Sequence, residues 1–316
     1  MENFEYLLLP DMTIIPPYLQ PGDTIGIVCP AGYMPEEKAQ TCINTLQEWG
    51  YNVKIGFTVG GNSENYFSGT DEERLYDLQQ MLDDDMVQAV MCGRGGYGTG
   101  RIIELVDFKK FSKHPKWIIG YSDITILLAH IYTNYQVAGM HAPMVSAFND
   151  GGATSEYVLS LKNLLSGGKA NYTCPPHAYN KKGKAEGVLV GGNLSLVAHL
   201  TGTSSDIKTK GRILFLEDVT EYLYNIDRMF WHLKRNGKLD KLEGLIIGGF
   251  TEMQDTARPY GKEVHDIIHE IVKDYDYPVC FGFPVSHAPE NYALKTGVKH
   301  RLIISGEGVT LKELDG

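Results

Sequence analysis

Two short stretches of the chain bring together residue types that do chemistry. The first is Gly93-Arg94-Gly95-Gly96-Tyr97-Gly98, which follows the apolar run VQAVMC and precedes TGRIIELVDF. Read literally it satisfies G-x-G-x-x-G between a strand and a helix, and Asp123 falls near where a ribose-binding acid would. Against a dinucleotide site, that fingerprint belongs on the first strand of its fold, and here two strand-helix units come first. A glycine loop at a strand end is equally a place where backbone amides approach a substrate anion. The second stretch is Gly120-Tyr121-Ser122-Asp123, between the apolar KWII and the run ITILLAHIY. A serine on a sharp strand-to-helix turn projects its hydroxyl above the sheet, with the next residue's amide aimed where an oxyanion forms. Ile124 replaces the second glycine of G-x-S-x-G, and a serine alone at such a place is an ordinary helix N-cap.

A serine hydroxyl is a poor nucleophile until a base removes its proton, and the base needs a carboxylate to fix its tautomer. Among ten histidines, His287 in PVSHAPENYALKTG follows a buried-looking strand and sits in a loop, where functional side chains concentrate. Among the acids, Glu217 closes the strand RILFLED, whose apolar context makes a charge worth explaining; the alternative is an ordinary sheet-end carboxylate. Metal chemistry has less to stand on. His265 and His269 are four apart on one helix, but there is no H-E-x-x-H and no third ligand at a recognisable interval, so they read as surface or half-buried helix residues. Asp83-Asp84-Asp85 reads as a solvated helix end.

The elements that must position these residues follow from periodicity. TIGIVCPAG, YNVKIG, VQAVMC and KWIIG alternate with helical stretches, one of which closes at Gly50 and one of which starts at Thr70 with acids in its first turn. Repeated strand-helix order predicts an α/β domain over residues 1–166, with a parallel, flavodoxin- or Rossmann-like sheet covered on both faces and a nucleophile elbow. Residues 167–187, with paired glycines, paired prolines and a small basic cluster, lack either periodicity and read as a linker. Residues 188–316 read as a smaller, mostly β domain interrupted by helices at 195–200, 225–236 and 261–273.

Composition narrows the class. With 316 residues, two domains are expected, and 22% charged with 10% aromatic residues is ordinary for a folded protein. A net charge of -10 without a basic stripe argues against a nucleic-acid partner. No run approaches the ~20 apolar residues of a membrane span. The N-terminal MENFEYLLLPDM has acids where a signal peptide carries basic residues. Five scattered cysteines without a C-x-x-C fit reduced, buried thiols. A cytoplasmic protein is the expectation, and the sequons at Asn171 and Asn193 then carry no weight.

Taken together, C-G-R-G-G-Y-G (92–98), W-I-I-G-Y-S-D-I-T (117–125), G-G-N-L-S-L (191–196), L-F-L-E-D-V-T-E (214–221) with I-D-R-M (226–229), and S-H-A-P-E-N-Y-A-L-K-T-G (286–297) resemble the LD-carboxypeptidase family of serine peptidases, which includes the microcin-immunity peptidases. The resemblance runs from Pro21 to about Ile304. It implies a triad of Ser122 as nucleophile, His287 as general base and acid, and Glu217 as the acid orienting the imidazole. It also implies an oxyanion hole from the backbone amides of Asp123 and of Gly95 or Gly96, so the glycine loop becomes an oxyanion donor and substrate wall, with Arg94 and Tyr97 as substrate-binding residues. Arg94 is the candidate cation for a terminal carboxylate, though a loop arginine could equally brace a subunit or linker contact. The implied activity is release of the terminal D-alanine from murein tetrapeptides in cytoplasmic cell-wall recycling, without metal or other cofactor, by a homodimer. R-G-G-Y-G resembles the carboxypeptidase branch; the immunity branch would cleave a peptidyl-nucleotide amide instead. Ser286 stands where the family often has glycine, and P-E-N where P-N is commoner, which bears on selectivity more than on the triad. A nucleotide-dependent oxidoreductase and a non-catalytic peptide binder are the rival classes.

Overall fold

The computed structural model describes residues 12–61 and 64–315. All but the last residue of the N-terminal stretch weighed above as a signal peptide lies outside the described residues. Five strands, β1 (Thr24–Val28), β2 (Asn52–Ile55), β3 (Val87–Cys92), β4 (Trp117–Gly120) and β5 (Gly139–His141), run parallel in the order β2-β1-β3-β4-β5. Helices α1 (Gln40–Glu48), α2 (Asp71–Asp83), α3 (Thr99–Ile102), α4 (Lys109–Lys113) and α5 (Thr125–Tyr135) connect them. The α/β expectation holds, and the strand order is that of flavodoxin-like sheets, whose ligands sit outside the strands' carboxyl ends. Thr70 begins α2 with a reciprocal capping box to Glu73. The stretch 99–108, expected as one helix, is broken. Gln79 of α2 takes both the N–H and the C=O of Asp107, so the chain turns extended at Val106 after a 3₁₀ turn.

Helix α6 (Glu156–Leu165) leads into the second half. There β6 (Asn171–Cys174), β7 (Gly183–Asn193), α7 (Leu194–His199), β8 (Arg212–Val219), α8 (Leu223–Arg235), β9 (Gly244–Thr251), α9 (Val264–Val272), β10 (Val279–Phe281), β11 (Leu294–Thr296), β12 (Lys299–Ile304) and β13 (Val309–Glu313) follow in turn. Seven of these strands form one sheet in the order β10-β9-β8-β7-β12-β13-β6, parallel from β10 to β7 and antiparallel beyond.

Residues 167–187, read above as a linker, carry β6 and the first part of β7. In β6, Tyr172 and Cys174 point inward while Asn171 and Thr173 face solvent, a period of two too short to emerge between flanking Gly and Pro residues. The halves are also less separate than two independent cores. Strand β11 pairs antiparallel with β5 and so completes the first sheet. Each of the two large buried clusters draws on both halves, as Ile118 with Leu216 and Ile119 with Phe215 illustrate. All five cysteines are buried and free. Among the described residues no helix is long and apolar enough to cross a membrane.

Candidate active site

Ser122 is delivered by the carboxyl end of β4. Its φ is +62°, a left-handed conformation that a serine adopts only when its surroundings hold it there, and it opens a 3₁₀ turn that runs straight into α5. The turn is pinned from below. The Thr125 amide donates to the carbonyls of Ser122 and Asp123, and the buried Asp123 carboxylate accepts from the Thr99 amide at 2.8 Å. Burial raises the Asp123 pKa. Because that carboxylate caps α3 inside the protein, it does not face solvent as a ribose-binding acid would. What Asp123 presents beside the nucleophile is its amide.

The glycine loop after β3 closes on this turn. A Cβ on Gly95 would stand 2.7 Å from Ser122 Cβ, 2.8 Å from its Oγ and 3.3 Å from the Asp123 nitrogen, so only glycine lets the loop backbone lie against the hydroxyl and the amide. Gly96 and Gly98 have φ of +97° and +147°. Between these two turns Tyr97 is thrown outward. Its exposed ring packs on Phe67 at 5.8 Å and is not among the residues that line the cleft of the ligand-free protein. The ring that does line the cleft on this side is Tyr66.

The other half supplies an acid and a base. Glu217 and Asp218 lie near the carboxyl end of β8, and successive strand residues point to opposite faces. Glu217 Oε2 lies 2.6 Å from His287 Nδ1, whereas Asp218 accepts from Asn193 Nδ2, the Ser195 amide and the Ser195 hydroxyl. Opposite Glu217 the register with β9 slips by one, so that Gly248 and Gly249 together face it. A Cβ on Gly248 would lie 2.3 Å from the Val285 carbonyl oxygen, and one on Gly249 2.4 Å from Ser286 Cβ. The glycine pair therefore clears the space through which the His287 loop reaches Glu217. Ser286 closes that loop: its hydroxyl donates to the Glu290 carbonyl and accepts from the Ala288 amide.

Burial works against a charged imidazole at His287, but the Glu217 hydrogen bond and charge, with help from Asp218 and Glu252, outweigh it and raise its pKa. Its Nε2 is buried and has no partner among the described residues. The Tyr121 ring stands edge-to-face on the imidazole at 4.8 Å, and burial followed by the Glu217 charge pushes that phenol up to about 12. Burial, then the neighbouring His287, pulls His141 down to about 3, which keeps it neutral. Asp218 is pushed up to about 6, mainly by burial.

A cleft of about 440 Å³ between the halves is lined by Ser122, Arg94, Gly95 and Gly96 from one side and by Asp218 and His287 from the other. Glu217 stands behind His287. Arg94 is exposed and spends one Nη1 hydrogen bond on the Tyr33 carbonyl at 2.7 Å, leaving donors free among the described residues. Sequence reasoning missed Tyr66, Tyr121, Ser195 and Glu221 on this wall. The acid after E-D-V-T was visible in the sequence, but nothing there said which way it turned. His265 and His269 lie elsewhere, in ring contact with His177 and Tyr179.

Two family models match the chain in order, the LD-carboxypeptidase N-terminal domain over residues 25–142 and the LD-carboxypeptidase C-terminal domain over residues 186–302. The chain belongs to the LD-carboxypeptidase family. It is 38% identical over 289 residues to the Bacillus subtilis protein named "Probable murein peptide carboxypeptidase", covering 90% of each. It is 29% identical to the "Murein tetrapeptide carboxypeptidase" of Pseudomonas aeruginosa, covering 86% of this chain and 91% of that one. The crystal structure of muramoyltetrapeptide carboxypeptidase from Oxalobacter formigenes superposes with a TM-score of 0.84 at 27% identity, over 92% of this chain and 99% of its own. Membership makes this LD-carboxypeptidase relative a peptidase, with the two-domain fold of the family.

Proposed function

We propose that the protein is a serine-type LD-carboxypeptidase that removes the terminal D-alanine of murein tetrapeptides through an acyl-enzyme. The observation that carries this reading is the convergence of Ser122 and the Glu217-oriented His287 on one cleft, each held by its own sheet. With the Nδ1 proton engaged by Glu217, Nε2 is left as the acceptor. His287 Nε2 takes the Ser122 proton as Oγ bonds to the scissile carbonyl carbon, and the negative charge moves to the carbonyl oxygen. The amides of Asp123 and of Gly95 or Gly96 stabilise that oxyanion, each such donor typically contributing about a hundredfold or more to the rate. Collapse breaks the C–N bond, and Nε2–H gives its proton to the leaving D-alanine amine. Water, deprotonated by the same nitrogen, then releases the peptide and restores Ser122.

Arg94 offers the guanidinium an exopeptidase needs for the terminal carboxylate, since it lines the cleft with unspent donors. The same reading carries a cytoplasmic location and a homodimer, which cell fractionation and sedimentation test. The decisive experiment incubates the protein with free and sugar-linked stem tetrapeptides and analyses products by mass. Loss of one terminal D-alanine is expected. Binding without turnover, or cleavage at another bond, overturns the proposal.

A further inference from the structure

Glu221 stands on the cleft wall in the turn between β8 and α8, and none of the hydrolytic steps uses it. Its position is fixed at several points. Thr220 has a φ of +59°, unusual for a β-branched residue, and its amide donates to the Thr251 carbonyl at 3.0 Å. The Glu221 carbonyl accepts from the Gln254 amide at 2.9 Å. The carboxylate itself accepts from Asn225 Nδ2 at 2.9 Å and lies 3.2 Å from Ser195 Oγ, whose one proton it shares with Asp218. Both donors are neutral, so the group is oriented but its charge is unanswered. Among the described residues no Lys, Arg or His forms an ion pair with it.

The other charges of the cleft are committed. Arg94, from the first half, faces the substrate's terminal carboxylate in the reading above. Asp218 is filled by Asn193, Ser195 and the Val219 amide, and its burial disfavours the charged form. Glu221 is the anion left over for a cation on the substrate. In a murein tetrapeptide the residue that supplies the scissile carbonyl is a diamino acid, and its side-chain amine is protonated at neutral pH. That diamino acid is the residue of the substrate, apart from D-alanine, that must lie nearest Ser122, and its side chain reaches from there along the cleft wall.

We infer that Glu221 is a specificity-determining residue that accepts the side-chain ammonium of the diamino acid at the acyl position, an inference that rests on the carboxypeptidase reading above. A charge-assisted hydrogen bond to an oriented carboxylate needs that amine free. Stems whose amine is acylated in a cross-link are therefore poor substrates, and a reaction that hydrolyses the cross-link must precede this one.

The test uses the whole protein and two matched pairs of tetrapeptides: lysine against norleucine at the third position, and diaminopimelate against 2-aminopimelate, which keeps the carboxylate and lacks the amine. Wild type should prefer the amine-bearing member of the pair it accepts by about 10- to 100-fold in kcat/KM, carried mainly by KM. E221Q removes the charge, keeps an oxygen for Asn225 Nδ2 while its amide nitrogen can donate to Ser195 Oγ, and should erase that preference. Equal kcat/KM for wild type within a pair overturns the inference, as does an E221Q protein that retains the preference. Absence of D-alanine release from all four peptides overturns the carboxypeptidase reading instead.

Discussion

The carboxyl ends of β4 and β8 solve the same problem in different ways. Each is the end of a parallel strand that must hold a polar side chain against the cleft. At β4 the device is local: a left-handed Ser122, the amide that follows it, and a glycine loop from the adjacent strand of the same sheet. At β8 the device is long-range: Glu217 meets a histidine 70 residues later in the chain, through a gap opened by the paired glycines of β9. The first region stores its constraint in one backbone conformation. The second depends on the fit of three segments, so substitutions that spare every reactive atom can still disable it.

The comparison breaks most sharply if its two ends are not one machine. Ser122→Ala and His287→Ala should each lower kcat/KM for D-alanine release by about ten-thousandfold or more. Their thermal midpoints should stay within a few degrees of wild type. Combining the two should add little further loss, because residues that act as a unit are not additive. Additive losses in the double variant would mean that the two ends contribute separately.

Glu217→Gln comes next and separates charge from geometry. His287 must be neutral to accept the Ser122 proton, and its pKa lies above the ordinary imidazole value. Wild-type kcat/KM should therefore rise with pH through a midpoint above about 6.5. Glutamine removes the charge, burial is left to dominate, and the acid limb should move to lower pH while the plateau falls by about a thousandfold or more. The stability linkage has its own sign. A histidine whose folded pKa is raised contributes stability that is fully present below the unfolded value near 6.5 and lost as pH rises through the folded value. An unchanged acid limb in the variant would assign the limb to some other group.

Gly249→Ala probes the long-range fit alone. The new methyl would sit 2.4 Å from Ser286 Cβ, so the His287 loop must move. A displacement of about 1 Å is enough to cost about a hundredfold in rate. Kinetics and a melting curve on this variant, beside those of Gly95→Ala at the other end, show whether both glycine approaches matter. Wild-type rates for Gly249→Ala would mean that the loop reaches Glu217 by a different path.

Legibility in the sequence divides along the same line. Strands β1, β3 and β4 and the capped start of α2 were readable because their signals lie within a dozen residues. Ser122 was readable as a turn serine, and Asp123 as important, though as a ribose acid or an amide. Strand β6 was hidden because four alternating residues between Gly and Pro give no period. The pairing of Glu217 with His287 depends on which residues of β9 stand opposite, a register that no local pattern encodes, so strand-end and loop context mark the two as candidate acid and base and the family resemblance joins them to Ser122 as a triad. Glu221 closes the run L-F-L-E-D-V-T-E without a role legible there, since its direction is set by the left-handed Thr220 and by Gln254.

The smallest effect belongs to Tyr97, and it sharpens the comparison by testing how far the local device extends. The family resemblance gives the glycine loop two jobs, oxyanion donation by Gly95 or Gly96 and substrate binding by Arg94 and Tyr97. The loop's left-handed glycines instead divide it, with Gly95 against the nucleophile, Gly96 beside the Tyr66 hydroxyl on the cleft wall, and Tyr97 exposed against Phe67. Removing an exposed ring that lines no part of the cleft typically changes energies by about 0.5 kcal/mol or less, equivalent to about twofold in rate. Tyr97→Ala should therefore leave kcat/KM within about that factor. Tyr66→Ala removes a ring that does line the cleft, close enough to Gly96 that a Cβ there would meet its hydroxyl at 2.8 Å, and should cost more. If the order is reversed, the loop turns Tyr97 inward when peptide binds, and the boundary of the local device lies past Gly98.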